Sequence, residues 1–272
     1  MRGTSDITID RLGDVCRIAI NRPSSRNALR RETFEALRSA LADLAEEGAA
    51  RALILTGTGD AFCAGADLSD PMMGADLAPE DRAAACEAAL GGLMNGLVRD
   101  LRDAPFPIIG AVNGIAAGGG VGLALAADLT IAATGADFIM TFTPKLGLVP
   151  DLGLSWHLAH RLGRSRAMGL VLTGARLSAT EAKDLGLIWS VVDADGLEAQ
   201  ALELAQTLAA GPTGAQVTAR RLLDGAITRD LDAQLDAEAA AQASLVGSDD
   251  AIEALTAFAE RRPPNFRKSS PG

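Results

Sequence analysis

The stretch Ala111-Val112-Asn113-Gly114-Ile115-Ala116-Ala117-Gly118-Gly119-Gly120-Val121-Gly122-Leu123-Ala124-Leu125-Ala126-Ala127-Asp128 constrains the fold more than any other part of the chain. An apolar strand runs into three consecutive glycines and leaves them as an Ala- and Leu-rich helix. Glycine at such a joint lets backbone approach a neighbour or a ligand closely. The first N–H groups of the helix lack internal partners and carry partial positive charge, so a developing oxyanion would be stabilised beside them. The same glycines also suit a plain strand-to-helix joint with close packing. The remainder of the chain has to decide.

Ahead of the joint, residues 7–10 and 15–20 alternate like two strands around Gly13-Asp14, and residues 21–29 form a polar loop. Phe34, Leu37, Leu41 and Leu44 recur at helical spacing over 31–47, and Gly48 stops that helix. Residues 51–56 read as a strand buried on both faces, followed by a turn at Gly57, Gly59 and Asp60. The loose stretch 69–79 precedes a helix over 80–102, which Pro105 and Pro107 break before a strand at 108–113. Residues 129–133 and 137–140 read as two further short strands. Strands alternating with helices imply a layered α/β core. After Pro150 helical candidates dominate, at 154–162, 165–172, 179–185, 197–210, 212–223, 231–245 and 248–262. Only 188–192 reads as a strand there, and Ser178-Ala179-Thr180-Glu181 has the pattern of a capping box. The helices after 196 carry more apolar surface than a short tail should expose, so they are expected to dock on the core or on another subunit.

Composition narrows the function. A net charge of −10 disfavours a binder of the phosphate backbone, and 3% aromatic residues without a tyrosine leave no stacking platform, so no nucleic-acid partner is expected. No apolar run approaches the length of a spanning helix, and the N-terminal residues lack a secretory pattern. The three cysteines, Cys16, Cys63 and Cys86, have no metal-ligand spacing, and two histidines make a His-based metal site improbable. The expectation is a cytoplasmic protein without a membrane or metal partner.

Phe62-Cys63-Ala64-Gly65-Ala66-Asp67-Leu68, followed by Ala111-Val112-Asn113-Gly114 through Gly118-Gly119-Gly120, resembles the crotonase (enoyl-CoA hydratase/isomerase) superfamily. The likeness covers nearly the whole chain. It begins at Asn21-Arg22-Pro23 and Arg26-Asn27-Ala28-Leu29, and runs on through Gly147-Leu148-Val149-Pro150-Asp151 and Leu172-Thr173-Gly174 to Gly186-Leu187-Ile188-Trp189. The resemblance implies an α/β fold with a crotonase-like ββα spiral core over residues 1–196, carrying the CoA and acyl site. A C-terminal helical trimerisation region over 197–272 would follow, the assembly being a homotrimer or a dimer of trimers. It implies lipid metabolism and an acyl-CoA thioester substrate, with no permanently bound cofactor and coenzyme A entering as part of that substrate. An oxyanion hole would be made by the backbone N–H groups of Ala66 and Gly119. CoA would be bound by Ala64, Ala66, Asp67 and Leu68, by Arg26 (with Arg22 second), and by Phe258 and Arg261 of a neighbouring subunit.

The hydratase pattern is broken. Hydratases of this family use two glutamates; one position is Gly122 here and the other falls near Thr143, and residues 140–146 hold no carboxylate in any register. Adding water to a double bond needs a base for the water and an acid for the carbon. One carboxylate remains nearby, Asp151, in the apolar, Gly-rich run from Lys145 to Pro150, where burial would raise its pKa toward that of a useful base. This is similar to the Pro-Asp subgroup of enoyl-CoA and 1,2-epoxyphenylacetyl-CoA isomerases. The resulting expectation is double-bond isomerisation with Asp151 as acid/base. The alternatives are another crotonase reaction (hydrolase, dehalogenase or weak hydratase), a non-catalytic acyl-CoA binder, or Asp151 serving only to cap the following helix. Met72, Met73, Leu90, Leu93, Met94 and Leu97 are apolar candidates for the acyl pocket, and Asp128 reads as a turn residue.

Overall fold

A computed structural model describes residues 5–74 and 77–266. The chain opens with an antiparallel hairpin, β1 (Ile7–Leu12) and β2 (Val15–Ile20), and the amphipathic helix α1 (Arg31–Glu47), whose buried face is Phe34, Leu37, Leu41 and Leu44. Three turns of a spiral follow. The first is β3 (Ala52–Gly57), β4 (Ala61–Cys63), α2 (Pro79–Ala88) and α3 (Asn95–Asp103); the second is β5 (Ile108–Val112), β6 (Ile115–Ala117) and α4 (Gly119–Leu125); the third is β7 (Leu129–Ala133), β8 (Asp137–Ile139) and α5 (Phe142–Leu146).

Each turn gives one strand to each of two sheets. The larger sheet runs β1-β2-β3-β5-β7-β10 and the smaller β4-β6-β8-β9, with β9 at Arg176–Ser178 and β10 at Ser190–Val192. Pairing from β2 through β10 is parallel, as it is from β4 through β8; β9 pairs antiparallel to β8. All five residues of β5 are buried, and Ala52 to Leu55 of β3 likewise, as continuous apolar runs in a covered parallel sheet require. The ββα spiral is therefore present as expected.

The remaining helices are α6 (Leu154–Leu162), α7 (Arg164–Thr173), α8 (Ala179–Asp184), α9 (Leu197–Ala209), α10 (Thr213–Ala226), α11 (Leu231–Leu245) and α12 (Asp249–Glu260). The capping box of α8 is formed: Glu181 N–H donates to Ser178 Oγ at 3.2 Å and Ser178 N–H to Glu181 Oε2 at 2.8 Å. α9 buries Leu197, Ala201, Ala205 and Ala209 at helical spacing and packs on β2, β3, β5 and β7. The first helix after residue 196 thus belongs to the layered core, and those that stand off it begin at Thr213. α10 buries only Val217 and α11 buries nothing, while Leu223, Leu231, Leu255 and Phe258 are exposed. Among the described residues no helix is long and apolar enough to cross a membrane.

Asp128 is more than a turn residue. Its carboxylate accepts from Ile108 N–H at 2.7 Å and pairs with Arg220 of α10 at 2.6 Å. Arg220 also donates to the carbonyls of Arg102, Ala104 and Phe106, which fastens α10 to the core. The stretch 80–102 is not one regular helix either. A π-helical segment, Ala89–Met94, joins α2 to α3 and contains Gly91 and Gly92.

Candidate active site

The site lies where two neighbouring strands end together. β4 and β6 pair in parallel, so the chain leaves both at the same edge: one as Ala64-Gly65-Ala66, the other as Gly118 and the start of α4. Gly65 (φ +92°) faces the second turn directly. A Cβ there would stand 2.7 Å from the Ala117 carbonyl oxygen and 3.3 Å from the Gly119 amide nitrogen. Only glycine allows that approach, and it sets the Ala66 amide beside that of Gly119. Leu29 straps the outer side of the loop: its N–H donates to Gly65 O at 2.7 Å and its carbonyl accepts from Asp67 N–H at 2.8 Å. Successive amides of an extended segment point to opposite sides, so Ala66 N–H is turned away from Leu29. Gly119 is the first residue of α4, where an amide has no acceptor in its own helix. Among the described residues neither amide donates to any protein acceptor. Two free donors side by side can hold a thioester oxygen as it becomes an enolate.

Asp151 stands over the same place. Its Oδ1 is 3.3 Å from where a Cβ on Gly119 would be. That oxygen is buried and finds no hydrogen-bond partner among the described residues, and loss of water pushes the carboxyl up to about 6 from its ordinary 3.8. It sits on a turn of two left-handed residues, Leu152 (φ +49°) and Gly153 (φ +77°), closed by Leu154 N–H donating to Asp151 O at 2.9 Å. The N-cap of α6 is Gly153, with no side-chain cap, so Asp151 does not cap the following helix. The helix expected to line the acyl side comes close: Val98 Cγ1 of α3 is 3.7 Å from the position of a Cβ on Gly153. Met72, Met94 and Leu97 are buried, and Met73, Leu90 and Leu93 are packed against the core; Ala75 and Asp76, inside the 69–79 loop, lie outside the described residues. A surface groove of about 510 Å³ between α1 and α3 lies elsewhere; it touches neither Asp151 nor the two amides nor the CoA loop, and of the acyl-pocket candidates only Leu93 borders it.

The residues expected to bind CoA divide. Arg22 is committed: its guanidinium donates to Asp67 Oδ2 at 2.9 Å and to the Ala28 carbonyl, and stands 3.7 Å from Asp6. Asp67 is held by that pair and by Ser69, which lower its pKa, so its carboxylate is structural and what remains for a ligand is backbone. Arg26 is exposed, in a left-handed turn (φ +49°), and its guanidinium has no partner among the described residues. Ala64 is tied to the same loop through its N–H on Arg26 O at 2.9 Å, and Leu68 is 54% exposed beside it. Asn27 fastens the loop to the β3–β4 turn by donating to Thr58 O and Ala61 O. Phe258 is not a core residue of its helix: it is 84% exposed, three residues before the exposed Arg261.

Two further buried polar atoms lie on the helices to either side of the turn. Thr143 Oγ1 and His157 Nδ1 are both buried without a partner among the described residues. Burial pushes His157 down to about 3, so its ring is neutral, while Cys63 is pushed up to about 12 and is no activated thiol. Among the described residues no cluster of three His, Cys, Asp or Glu side chains is placed to hold a metal ion.

Comparison with known proteins shows the family. Residues 10–269 match the family model described as enoyl-CoA hydratase/isomerase. The chain is 41% identical to a 1,2-epoxyphenylacetyl-CoA isomerase of Escherichia coli (strain K12) over 252 residues, covering 93% of this chain and 94% of that protein. It is 39% identical to a probable enoyl-CoA hydratase of Rhodobacter capsulatus over 250 residues, covering 92% and 93%. The crystal structure of an enoyl-CoA hydratase from Polaromonas sp. JS666 superposes with a TM-score of 0.88 at 33% identity, covering 96% of this chain and 99% of that one. The chain belongs to the enoyl-CoA hydratase/isomerase family.

Proposed function

We propose that the protein isomerises the double bond of an enoyl-CoA, with Asp151 as the single acid/base. The thioester oxygen accepts from Ala66 N–H and Gly119 N–H. Asp151 carboxylate takes the proton from the carbon alpha to the thioester of a 3-enoyl-CoA. The C–H electrons become the new double bond of a dienolate, whose negative charge rests on the oxygen between the two amides. Asp151 then returns the same proton at the gamma carbon, the double bond comes to lie between the alpha and beta carbons, and the oxyanion reverts to a carbonyl. Donors placed where that charge grows are worth about 3–4 kcal/mol each.

The observation that carries this reading is Asp151 Oδ1, buried, without a hydrogen-bond partner among the described residues and 3.3 Å from the Cβ position of Gly119. Hydration needs a second acid or base, and neither residue 122 nor residues 140–146 supply a carboxylate. Relatives carry both names, isomerase and hydratase. The test is turnover of a 3-enoyl-CoA by the native protein and by Asp151→Asn. The variant should lose on the order of 10²–10⁴-fold in kcat, the share of a positioned acid/base; full activity removes Asp151 from the mechanism.

We infer also that the active form is a homotrimer or a dimer of trimers. Leu223, Leu231, Ile252, Leu255 and Phe258 on α10 to α12 are exposed apolar residues of the kind a second copy would cover. In such an assembly Phe258 and Arg261 are available to a neighbour's CoA. Sedimentation equilibrium checks the state; a monomer at micromolar concentration refutes it.

A further inference from the structure

The missing side chain at position 122 has a neighbour. A Cβ on Gly122 would stand 2.8 Å from the Leu152 carbonyl oxygen, 2.9 Å from Leu152 Cβ and 3.2 Å from the Asp151 carbonyl oxygen. Two of these atoms are backbone and the third is fixed to it, so no rotamer change can clear the space. Three residues back, and so on the same face of α4, a Cβ on Gly119 would meet Leu152 Cδ1 at 3.0 Å. Leu152 itself is 1% exposed. The two glycines are thus a floor on which the turn from Asp151 to Gly153 lies flat.

The turn needs that support. A leucine at φ +49° is in a sparsely populated region, and such strain persists only where the surroundings over-determine it. Contact with α4 from below, burial of the Leu152 side chain, and the hydrogen bond from Leu154 N–H to Asp151 O together do so here.

We propose that Gly122 is a positioning residue: its lack of a side chain lets the strained turn settle on α4, and this holds the Asp151 carboxyl over Gly119 and away from water. The proposal rests on the reading of Asp151 as the acid/base. It makes the bare position 122 and the carboxylate at 151 one structural solution. A glutamate at 122 and this turn compete for the same space, so restoring the glutamate would displace Asp151 and not simply add a second acid.

The test is Gly122→Ala in the full-length protein, assayed on a 3-enoyl-CoA for kcat, KM and the pH dependence of kcat. A lifted turn misplaces the base, and kcat is expected to fall on the order of 10–100-fold, with KM changed far less. The acidic limb of the kcat profile should move down, toward the ordinary carboxylate range, as water reaches Asp151. A change in stability alone would not move that limb. If Gly122→Ala is insoluble, Leu152→Ala keeps the strained backbone but removes the buried side chain that pins the same turn to α4, and the same downward shift of the limb is expected. Either soluble variant with native kcat and a native acidic limb overturns the proposal. Asp151→Asn separates the two claims. If it is fully active, the acid/base reading itself fails; if it is inactive while Gly122→Ala behaves as native, only the positioning role falls.

Discussion

Asp151→Asn should make the protein more stable while it sharply lowers turnover of a 3-enoyl-CoA, and the gain should depend on pH in a defined way. Burial holds the folded carboxyl at about 6, against 3.8 for the exposed group. At about 1.36 kcal/mol per pH unit, ionising it in the fold costs about 3 kcal/mol more than ionising it in the unfolded chain. The sign follows from linkage. Below pH 4 both states are protonated and the group contributes no difference. As pH rises through the interval from about 4 to 6, the unfolded chain releases its proton first, so native stability falls, and above about 6 the loss is complete. Asparagine keeps the shape and removes the charge. The variant should therefore be more stable than the native protein by about 3 kcal/mol at pH 7.5, and equal to it near pH 3.5.

A second buried group sharpens this expectation. His157 is held neutral, down at about 3 from 6.5, so the fold loses stability as pH falls from 6.5 and the unfolded chain takes up a proton that the folded ring refuses. Between pH 6 and 4 the two groups oppose each other in the native protein, whose stability should change little on their account. In Asp151→Asn the histidine slope is unmasked and stability should decline visibly over the same interval. Urea melts of both proteins from pH 3.5 to 8, at one fixed protein concentration, read the difference directly. Parallel curves with no gap at pH 7.5 would refute the argument, since the carboxylate would then be solvated in the folded state.

Other expectations follow from the same contacts. Arg26→Ala should raise KM for a CoA ester about fivefold with kcat unchanged, the value of roughly 1 kcal/mol for an exposed ion pair; initial rates across a substrate series check it. Arg22→Ala should instead cost stability, about 3 kcal/mol, because it leaves the mostly buried carboxylates of Asp67 and Asp6 short of a partner; a lowered melting temperature is the readout. Gly65→Ala puts a Cβ 2.7 Å from the Ala117 carbonyl and spreads the two amides apart, so kcat should drop by about 10²-fold, equivalent to one lost oxyanion donor. Arg220→Ala leaves Asp128 without its cationic partner and three backbone carbonyls without their donors, and should loosen α10 at a cost of about 3 kcal/mol; faster amide exchange in α10 to α12 is the measurement.

The spiral was legible because each of its turns writes its own signal. Apolar runs mark the buried strands, the spacing of Phe34, Leu37, Leu41 and Leu44 marks α1, and glycines mark the strand ends. What escaped was short or non-local. β9 has three residues, of which only Leu177 is buried, too few to alternate; α5 is a single turn containing Pro144. The role of Asp128 depends on Arg220, far along the chain, and the commitment of Arg22 to the fold depends on Asp67, forty-five residues away. No local pattern carries such pairings. The strained Leu152 was invisible for another reason: leucine is an unusual choice for a left-handed turn, and propensity argues against it.

That last failure is informative. Of the five buried side-chain polar atoms without a partner among the described residues, Thr143, Asp151 and His157 lie within a stretch of fifteen residues, 143–157. The strained Leu152 lies in the same stretch. A chain selected only to be stable would have relieved some of these local conflicts, by a glycine at 152, an amide at 151 or a valine at 143. Their concentration in one stretch of chain that includes the Asp151 turn fits a site held ready for a ligand. Of these atoms Asp151 Oδ1 stands at the candidate site, 3.3 Å from the Cβ position of Gly119, where a bound substrate would meet it. Binding should therefore raise stability most where the free protein is least comfortable, and amide-exchange protection on adding a non-reactive CoA thioester should rise first across residues 143–157.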